Sequence, residues 1–276
     1  MRTIEEVETA TVTETISIQF RAQLGEKLER TLAKLVLAVP AYGHFSVDHN
    51  RGHHLLVSTP DDDASARMGE SIYKFALREI PGAFRRAWSI EKDRLERRGK
   101  SVWATDNQIL QSMAVAAILQ LGLVIAFGPP MILFLAIHNM FAWWQLTSAN
   151  YIEHYGLLRM KDGNGRYERC QPHHSWNSNH LFSNLVLFHL ERHSDHHAHP
   201  LRRYQSLRHF DDLPTLPSGY FGAYVLAWFP PLWYHDMDPK LMAMPHVAGN
   251  LERLNIDPDR RGDIFAKHGK AAETPA

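Results

Sequence analysis

Histidine is the residue type whose number and spacing could do chemistry in this sequence, since eighteen of the 276 residues are histidines. Neutral imidazole is a ligand for iron, copper, zinc and nickel, so histidines at suitable spacing indicate a transition-metal site, although the ligand set does not select the metal. Three separate segments carry such histidines. The seven candidate ligands are His49, His53, His54, His154, His193, His196 and His197.

Two of these segments have the spacing of chelating residues on one helix. In D-H-N-R-G-H-H, residues 48–54, the first histidine and the next are four apart; in L-E-R-H-S-D-H-H, residues 190–197, the three histidines stand at i, i+3 and i+4. Residues three and four apart share a helical face, so we expect His49 to align with His53, and His193 to align with His196 and His197.

Acidic residues stand beside the candidate ligands in every segment. A carboxylate that accepts the second ring N–H of a ligand histidine fixes the tautomer and the orientation of the imidazole. We predict that role for Asp48, Glu153, Glu191 and Asp195. The alternative for any one segment is an ordinary polar histidine, and His138, alone in an apolar stretch, is left outside the predicted site for that reason.

Residues 107–152 contain no Asp, Glu, Lys or Arg. They hold two apolar lengths, residues 109–127 and 131–147, separated by Gly-Pro-Pro. A membrane-spanning helix needs about 20 mostly apolar residues, so this pattern predicts a helical hairpin that crosses a bilayer twice. The alternative is a pair of buried helices in a soluble bundle. Residues 216–234, uncharged and aromatic, are typical of a re-entrant or interfacial segment. The predicted fold class is an all-α integral membrane protein.

A chain that crosses twice returns to its starting side, so the three histidine segments are expected in one compartment. Lys and Arg are frequent at residues 92–100 and 159–169 on both flanks of the hairpin, and cytoplasmic loops carry such an excess. We therefore predict a multi-pass protein of the cell inner membrane with its histidines facing the cytoplasm. The predicted division is a polar segment at residues 1–27, a membrane domain at 28–258 and a polar tail at 259–276.

Composition also excludes several classes of function. Thirty basic and thirty acidic residues leave no net charge, which disfavours nucleic acid as a partner. Cys170 is the single cysteine, so the chain holds neither an internal disulfide nor a four-thiolate iron site. The sequence has no G-x-G-x-x-G dinucleotide fingerprint. Electrons for any redox chemistry must therefore arrive from another protein.

The histidine segments resemble the motifs of the alkane 1-monooxygenase family, which belongs with the membrane fatty acid desaturases and hydroxylases. Residues 48–54, 150–157 and 190–198 match the family's second histidine motif, its H-Y-G motif and its third histidine motif. The similarity extends through C-Q-P-H-H-S-W-N-S-N-H at 170–180 and L-P-S-G-Y at 216–220, and covers residues 28–258.

That resemblance implies a function and a set of partners. Two iron ions would be bound by the seven histidines. With O2 as co-substrate, a linear alkane in the membrane lipid would be hydroxylated to a 1-alkanol, and rubredoxin, reduced by rubredoxin reductase, would supply the electrons. Two further readings stay open: a related di-iron desaturase or hydroxylase of fatty acyl or aromatic substrates, against which the H-Y-G motif argues, and a membrane protein that binds metal without turnover.

The chain departs from the family pattern near its amino-terminal end. The first histidine motif, H-E-L-x-H-K, is expected just before residue 28, where the sequence reads A-Q-L-G-E-K with Ala22 and Glu26 at the two ligand positions. Asp48 replaces the usual Glu, and Glu191 the usual Gln. The sequence is thus expected to be an amino-terminally truncated or divergent member with at least one weakened metal position.

Overall fold

The computed structural model describes residues 28, 29 and 31–269, and these residues are helical with only isolated β-bridges and no β-strand. The predicted all-α class is therefore confirmed. The segment 1–27, with Ala22 and Glu26, and the last residues of the predicted tail, 270–276, lie outside the described residues.

Eleven α-helices follow one another along the described chain. They are α1 (residues 31–38), α2 (Phe45–Asp48), α3 (His54–Leu56), α4 (Ile72–Glu96), α5 (Gln108–Phe127), α6 (Pro130–His154), α7 (Leu181–Val186), α8 (His193–Ala198), α9 (Tyr220–Ala227), α10 (Pro230–Met242) and α11 (Arg261–His268). A π-helical turn, His49–His53, joins α2 to α3, and short 3-10 turns occur at Pro172–His174, Tyr204–Ser206, Leu251–Arg253 and Pro258–Arg260.

Helices α5 and α6 form the hairpin that the uncharged stretch predicted. The side chain of Asn107 accepts hydrogen bonds from the backbone N–H groups of Ile109 and Leu110, which caps the start of α5. The helix ends at Gly128, whose N–H bonds the carbonyl of Val124, and Pro130 begins α6. The two helices are in contact with each other.

Of the described helices, α5 is the one that is long and apolar enough, by length and composition, to cross a membrane. The second predicted span, residues 131–147, lies inside α6, whose composition is not apolar enough to meet the same criterion. Its outward side chains are nevertheless large and apolar, since Ile132, Leu133, Phe134, Ile137, Met140 and Phe141 are all exposed. The second crossing therefore stays a prediction.

The main core lies where α4, α6, α9 and α10 meet. Buried aromatic residues dominate it: Phe75, Tyr151, Tyr155, Trp176, Tyr220 and Trp233. Glu79 connects α4 to α6, because its carboxyl accepts hydrogen bonds from Thr147 Oγ1 at 2.8 Å and Asn150 Nδ2 at 3.0 Å. The last two turns of α6 are buried in this way, which fixes the position of the residue that ends the helix, His154.

The region predicted as a polar tail begins with packed structure. Ile264 of α11 is buried and belongs to the main core. Lys74 Nζ binds Asp257 and Asp259 just before that helix, at 2.7 Å from each carboxylate. Residues on both sides of position 258 therefore contact the rest of the described structure, and the division of the chain at that position stays a prediction.

Candidate metal centre

The first histidine segment forms a π-helical turn instead of the expected α-helix. The backbone N–H of His54 bonds the carbonyl of His49, five residues earlier. Residues five apart are neighbours in such a turn, and the Nε2 atoms of His49 and His54 are 3.2 Å apart. The rings of His49 and His53 also stack, with centroids 5.2 Å apart, as their spacing predicted, and the π-helical turn adds the close contact with His54. Single π-helical turns are frequent at functional sites.

All seven histidines selected from the sequence converge in two adjoining groups. The first group, fully buried, contains His53, His154, His193 and His197, and the second, partly buried, contains His49, His54 and His196. Within each group one ring nitrogen from every residue lies within 4.8 Å of the others. The groups are in contact, since the ring centroids of His54 and His197 are 4.6 Å apart.

Helix α8 supplies side chains to both groups. His193 and His197, one turn apart, face the first group, where their Nε2 atoms are 2.8 Å apart, while His196 turns toward the second. The rings of the three histidines remain in contact, as the predicted common face requires, since the centroids of His193 and His196 are 5.7 Å apart and those of His196 and His197 are 5.3 Å apart. His154, the last residue of α6, places its Nε2 3.2 Å from that of His193.

The nitrogen positions fit a transition-metal ion in each group. Two nitrogens that bind one ion at about 2.1 Å, at a right angle to each other, are about 3.0 Å apart. The observed separations of 2.8–3.2 Å match that value. The Nε2 of His53 is buried without a hydrogen-bond partner among the described residues. Lone pairs that converge on one buried point favour a cation at that point.

Burial keeps the histidines in the form that binds metals. Desolvation, with the charge of neighbouring imidazoles, lowers the pKa of His49, His193 and His197 well below its usual value. The same causes lower the pKa of His54 to about 3, and desolvation lowers that of His196 to about 4. These rings are neutral at physiological pH, and neutral imidazole is the metal-binding species.

His53 is the exception, because a carboxylate contacts its second nitrogen. Its Nδ1 lies 2.8 Å from Asp62 Oδ2, so burial, which lowers the pKa of His53, is outweighed by the charge and hydrogen bond of Asp62, which raise it. Asp62 also accepts hydrogen bonds from Ser65 Oγ at 2.6 Å and from Arg86 Nη1 at 2.8 Å. The sequence carries no signal for Asp62, since only burial distinguishes it from Asp61 and Asp63.

Of the four acidic residues predicted to orient imidazoles, one contacts a candidate ligand and three contact other groups. Glu153 contacts a candidate ligand at the nitrogen that faces the first group, since its Oε2 lies 3.2 Å from His193 Nε2 and not, as predicted, at the second ring nitrogen; its Oε1 accepts the hydroxyl proton of Tyr220 at 2.9 Å. The other three bind elsewhere: Asp48 pairs with Arg86, Glu191 accepts the backbone N–H groups of His180 and Tyr220, and Asp195 pairs with Arg202 and Arg208.

Asp48 and Asp195 do not contact the imidazoles that they were predicted to orient, and the reason is geometric. Asp48 and Asp195 each directly precede a candidate ligand in a helical segment, and consecutive helical residues do not face each other. Their carboxylates instead fix the helices that carry the histidines. Arg86 reaches Asp48 across the π-helical turn at Gly52, where an added Cβ would lie 2.6 Å from Arg86 Nε. A side chain at Gly52 would therefore displace the guanidinium.

Replacing Asp62 with asparagine is expected to lower the metal affinity of the first group about 10- to 100-fold, the usual effect of losing a carboxylate that orients a ligand histidine. Asp62→Glu keeps the charge and is expected to recover part of the loss. Titration with Co²⁺ against a competing chelator measures both. Asp61→Asn, a change of the exposed neighbouring residue, is the control; equal affinities for the two asparagine variants would contradict the assignment.

Together, the helices and the converging imidazoles define a helical protein with a candidate metal centre built from histidines. The sequence model that defines the fatty acid desaturase family matches residues 21–222, and the chain belongs to that family. It is 58% identical over 257 residues to alkane 1-monooxygenase 1 of Alcanivorax borkumensis, covering 92% of this chain and 63% of that protein.

Two further relatives show the range of the similarity. The alkane 1-monooxygenase of Ectopseudomonas oleovorans is 58% identical over 91% of this chain and 63% of its own length. The xylene/toluene monooxygenase hydroxylase component of Pseudomonas putida is 31% identical over 88% of this chain and 63% of its own length. The resemblance predicted from the histidine motifs is confirmed. The chain spans slightly under two thirds of the length of these relatives.

Proposed function

We propose that this chain is a membrane-bound di-iron monooxygenase of the alkane 1-monooxygenase type, which hydroxylates linear alkanes to 1-alkanols. The observation that carries the proposal is the pair of adjoining imidazole groups, one of four and one of three histidines. The high identity to alkane 1-monooxygenases supports the choice of substrate.

Metal-dependent chemistry is required by the nature of the substrate. A terminal C–H bond of an alkane has no acidic proton, no leaving group and no dipole, so side-chain acids, bases and nucleophiles cannot attack it. Bound iron would supply the activation of O2, with one oxygen atom inserted into the terminal C–H bond and the other released as water, which consumes two electrons and two protons. The histidines hold the ions, and Asp62 orients His53.

The two groups are expected to differ in affinity. Four buried imidazoles surround the first position, whereas three partly buried ones, His49, His54 and His196, surround the second. Affinity rises with the number of preformed ligands, so the second position should lose its ion first. We therefore expect the purified protein to contain fewer than two irons per chain.

Electrons would come from a separate protein. Cys170 is the only cysteine of the chain, so no thiolate cluster for electron transfer can form within it. We propose rubredoxin, reduced by rubredoxin reductase, as the donor. This partner follows from the resemblance to the family and from the requirement for two electrons per hydroxylation.

We place α5 and residues 131–147 across the cell inner membrane, with the histidines at the cytoplasmic side. Beyond Gln111 in the first turn, the exposed side chains of α5, among them Ile118, Leu121 and Ile125, are apolar, as lipid-facing residues are. The basic residues that flank the hairpin favour the cytoplasm as the shared compartment.

This topology predicts that Leu55 and Asp211, exposed residues on either side of the hairpin in sequence, lie on one side of the membrane. Cysteines placed there one at a time, in a Cys170→Ala background, should both react with an impermeant maleimide in inverted vesicles and be protected in intact spheroplasts. Labelling of the two positions from opposite sides would exclude a shared metal centre and overturn the proposal.

Product analysis tests the function itself. Membranes containing the chain, rubredoxin and its reductase should convert octane or hexadecane to the 1-alkanol, and membranes with the His193→Ala variant should not. An acyl lipid and toluene belong in the same assay, because one relative is named as a xylene/toluene monooxygenase component. No 1-alkanol from any alkane would overturn the proposal; bound iron without any product would leave a metal-binding protein without turnover.

A further inference from the structure

Helix α7 has the reverse of the polarity expected at a water-facing surface. Its polar residues Ser183 and Asn184 are buried, with 2% and 5% of their surface exposed, whereas Leu185 is 66% exposed. Leu181, Phe182 and Val186 are exposed as well. A helix between a protein core and water buries its apolar face, so the medium outside α7 is expected to be apolar.

A second apolar surface runs along α9 and into α10. Tyr220, Ala223, Tyr224 and Ala227 pack inward, while Phe221, Val225, Phe229 and Leu232 are exposed. Phe221 and Val225, four residues apart in α9, share one face of that helix, and the exposed side chains of Phe229 and Leu232 follow at the junction with α10 and in its first turn.

The two surfaces join into one patch. The rings of Phe182 and Phe221 are in contact, with centroids 6.1 Å apart. The helices approach closely at Gly219, where an added Cβ would lie 2.5 Å from Ser183 Oγ. We call these residues the outer apolar patch: Leu181, Phe182, Leu185, Val186, Phe221, Val225, Phe229 and Leu232. Residues 181–188 and 213–234, which contain it, include no Asp, Glu, Lys or Arg.

The outer apolar patch is continuous with the helices placed in the membrane. Helix α9 packs against α6, and Trp228 at the end of α9 contacts Trp144 of α6, with ring centroids 6.4 Å apart. Tyr73 stacks on Trp144 at 5.7 Å and donates its hydroxyl proton to the carbonyl of Trp228 at 2.8 Å. Tryptophan and tyrosine concentrate at the membrane–water interface, and Trp144 lies near the inner end of the second span.

We propose that the outer apolar patch lies in the inner leaflet of the bilayer, with α7 and α9 as interfacial helices whose exposed side chains contact lipid acyl chains. The proposal rests on the membrane placement proposed above and adds a second lipid-contacting surface to it. Reversed polarity in α7, the absence of charge and the shared aromatic cluster all favour lipid over water as the covering medium.

This placement has a consequence for the metal centre. The segment that follows α7 leads directly to His193, and Tyr220, the first residue of α9, donates its hydroxyl proton to Glu153 beside His154. Insertion of both helices would hold the histidine groups against the inner leaflet, where an apolar substrate dissolves. The bilayer would thus help to position the centre relative to its substrate.

Spin labels test the proposal with the full chain in phosphatidylcholine/phosphatidylglycerol liposomes. Nitroxides are attached to cysteines at Leu185 or Val225 in the Cys170→Ala background, and collision rates with O2, which concentrates in lipid, and with a water-soluble nickel chelate are compared. Ile118 of α5 is the lipid reference, and Asp211 is the water reference. We expect both patch positions to favour O2 several-fold over the chelate, as at Ile118.

Each other outcome is decisive. A chelate-dominated signal at Leu185 and Val225, with a lipid-like signal at Ile118, would overturn the inference and leave the membrane placement intact. Exclusion of both reagents would mean that protein, and not lipid, covers the patch. A chelate-dominated signal at Ile118 would instead overturn the membrane placement itself. Leu181 and Phe229 provide a second pair of positions if a first variant fails to insert.

Discussion

Replacing His193 with alanine is expected to weaken metal binding by the four-histidine group strongly, and so to lower the iron content under conditions that load the unmodified protein. The Nε2 of His193 lies 2.8 Å from that of His197 and 3.2 Å from that of His154, so His193 connects the group. Loss of a residue that merely orients a ligand costs about 10- to 100-fold in metal affinity. Loss of a ligand should lower the affinity by at least about 100-fold.

The same helix provides two matched comparisons. His196→Ala removes a side chain from the three-histidine group, so it should lower the iron content further without emptying the first position. His199→Ala, just beyond the end of α8, should leave the iron content unchanged, because that side chain belongs to neither group. Metal analysis of the three purified variants measures these effects. Iron content that is unaffected by His193→Ala would contradict the assigned site.

Replacing Arg86 with alanine is expected to produce the largest loss of stability, about 3–5 kcal/mol, the usual cost of removing one partner from a buried ion pair. The Arg86 guanidinium donates to Asp48 at 2.6 and 2.9 Å and to Asp62 at 2.8 Å. Both carboxylates are buried. Without the guanidinium, two negative charges remain desolvated beside the π-helical turn and His53.

Unfolding in mild detergent, followed by tryptophan fluorescence, measures this loss. Lys92→Ala is the matched control, because Lys92 pairs with Glu96 at 3.7 Å on the exposed face of the same helix, and such pairs contribute about 0.3–0.5 kcal/mol. Arg86→Lys should fall between the two, since lysine keeps the charge and loses the bidentate geometry. Equal stability of the Arg86→Ala and Lys92→Ala variants would show that the network contributes little.

The sequence was sufficient to predict the helical hairpin and to name the seven histidines that converge; their role as ligands stays a prediction. Histidine clusters and a long uncharged stretch are strong signals, since each depends on residue type within a short segment. The division of the histidines into two groups was not predictable in the same way. It depends on the π-helical turn at His49–His53, whereas the spacing argument assumed 3.6 residues per turn.

Contacts through space account for the remaining differences. Asp62 approaches His53 only because the loop between α3 and α4 folds back over the π-helical turn. Asp195 was expected to orient an imidazole and instead pairs with Arg202 and Arg208, which lie beyond its own helix. The reversed polarity of α7 was likewise hidden, because a six-residue helix gives too short a pattern to indicate which face is buried.

The central claim is that imidazoles from three parts of the chain bind iron in two adjoining groups, and X-ray absorption at the iron edge of the iron-loaded protein tests it most directly. The account predicts nitrogen neighbours at about 2.1 Å together with the outer-shell scattering of imidazole rings, and a loss of that scattering in the His193→Ala variant. An iron environment of oxygen ligands without imidazole scattering, unchanged by His193→Ala, would contradict it.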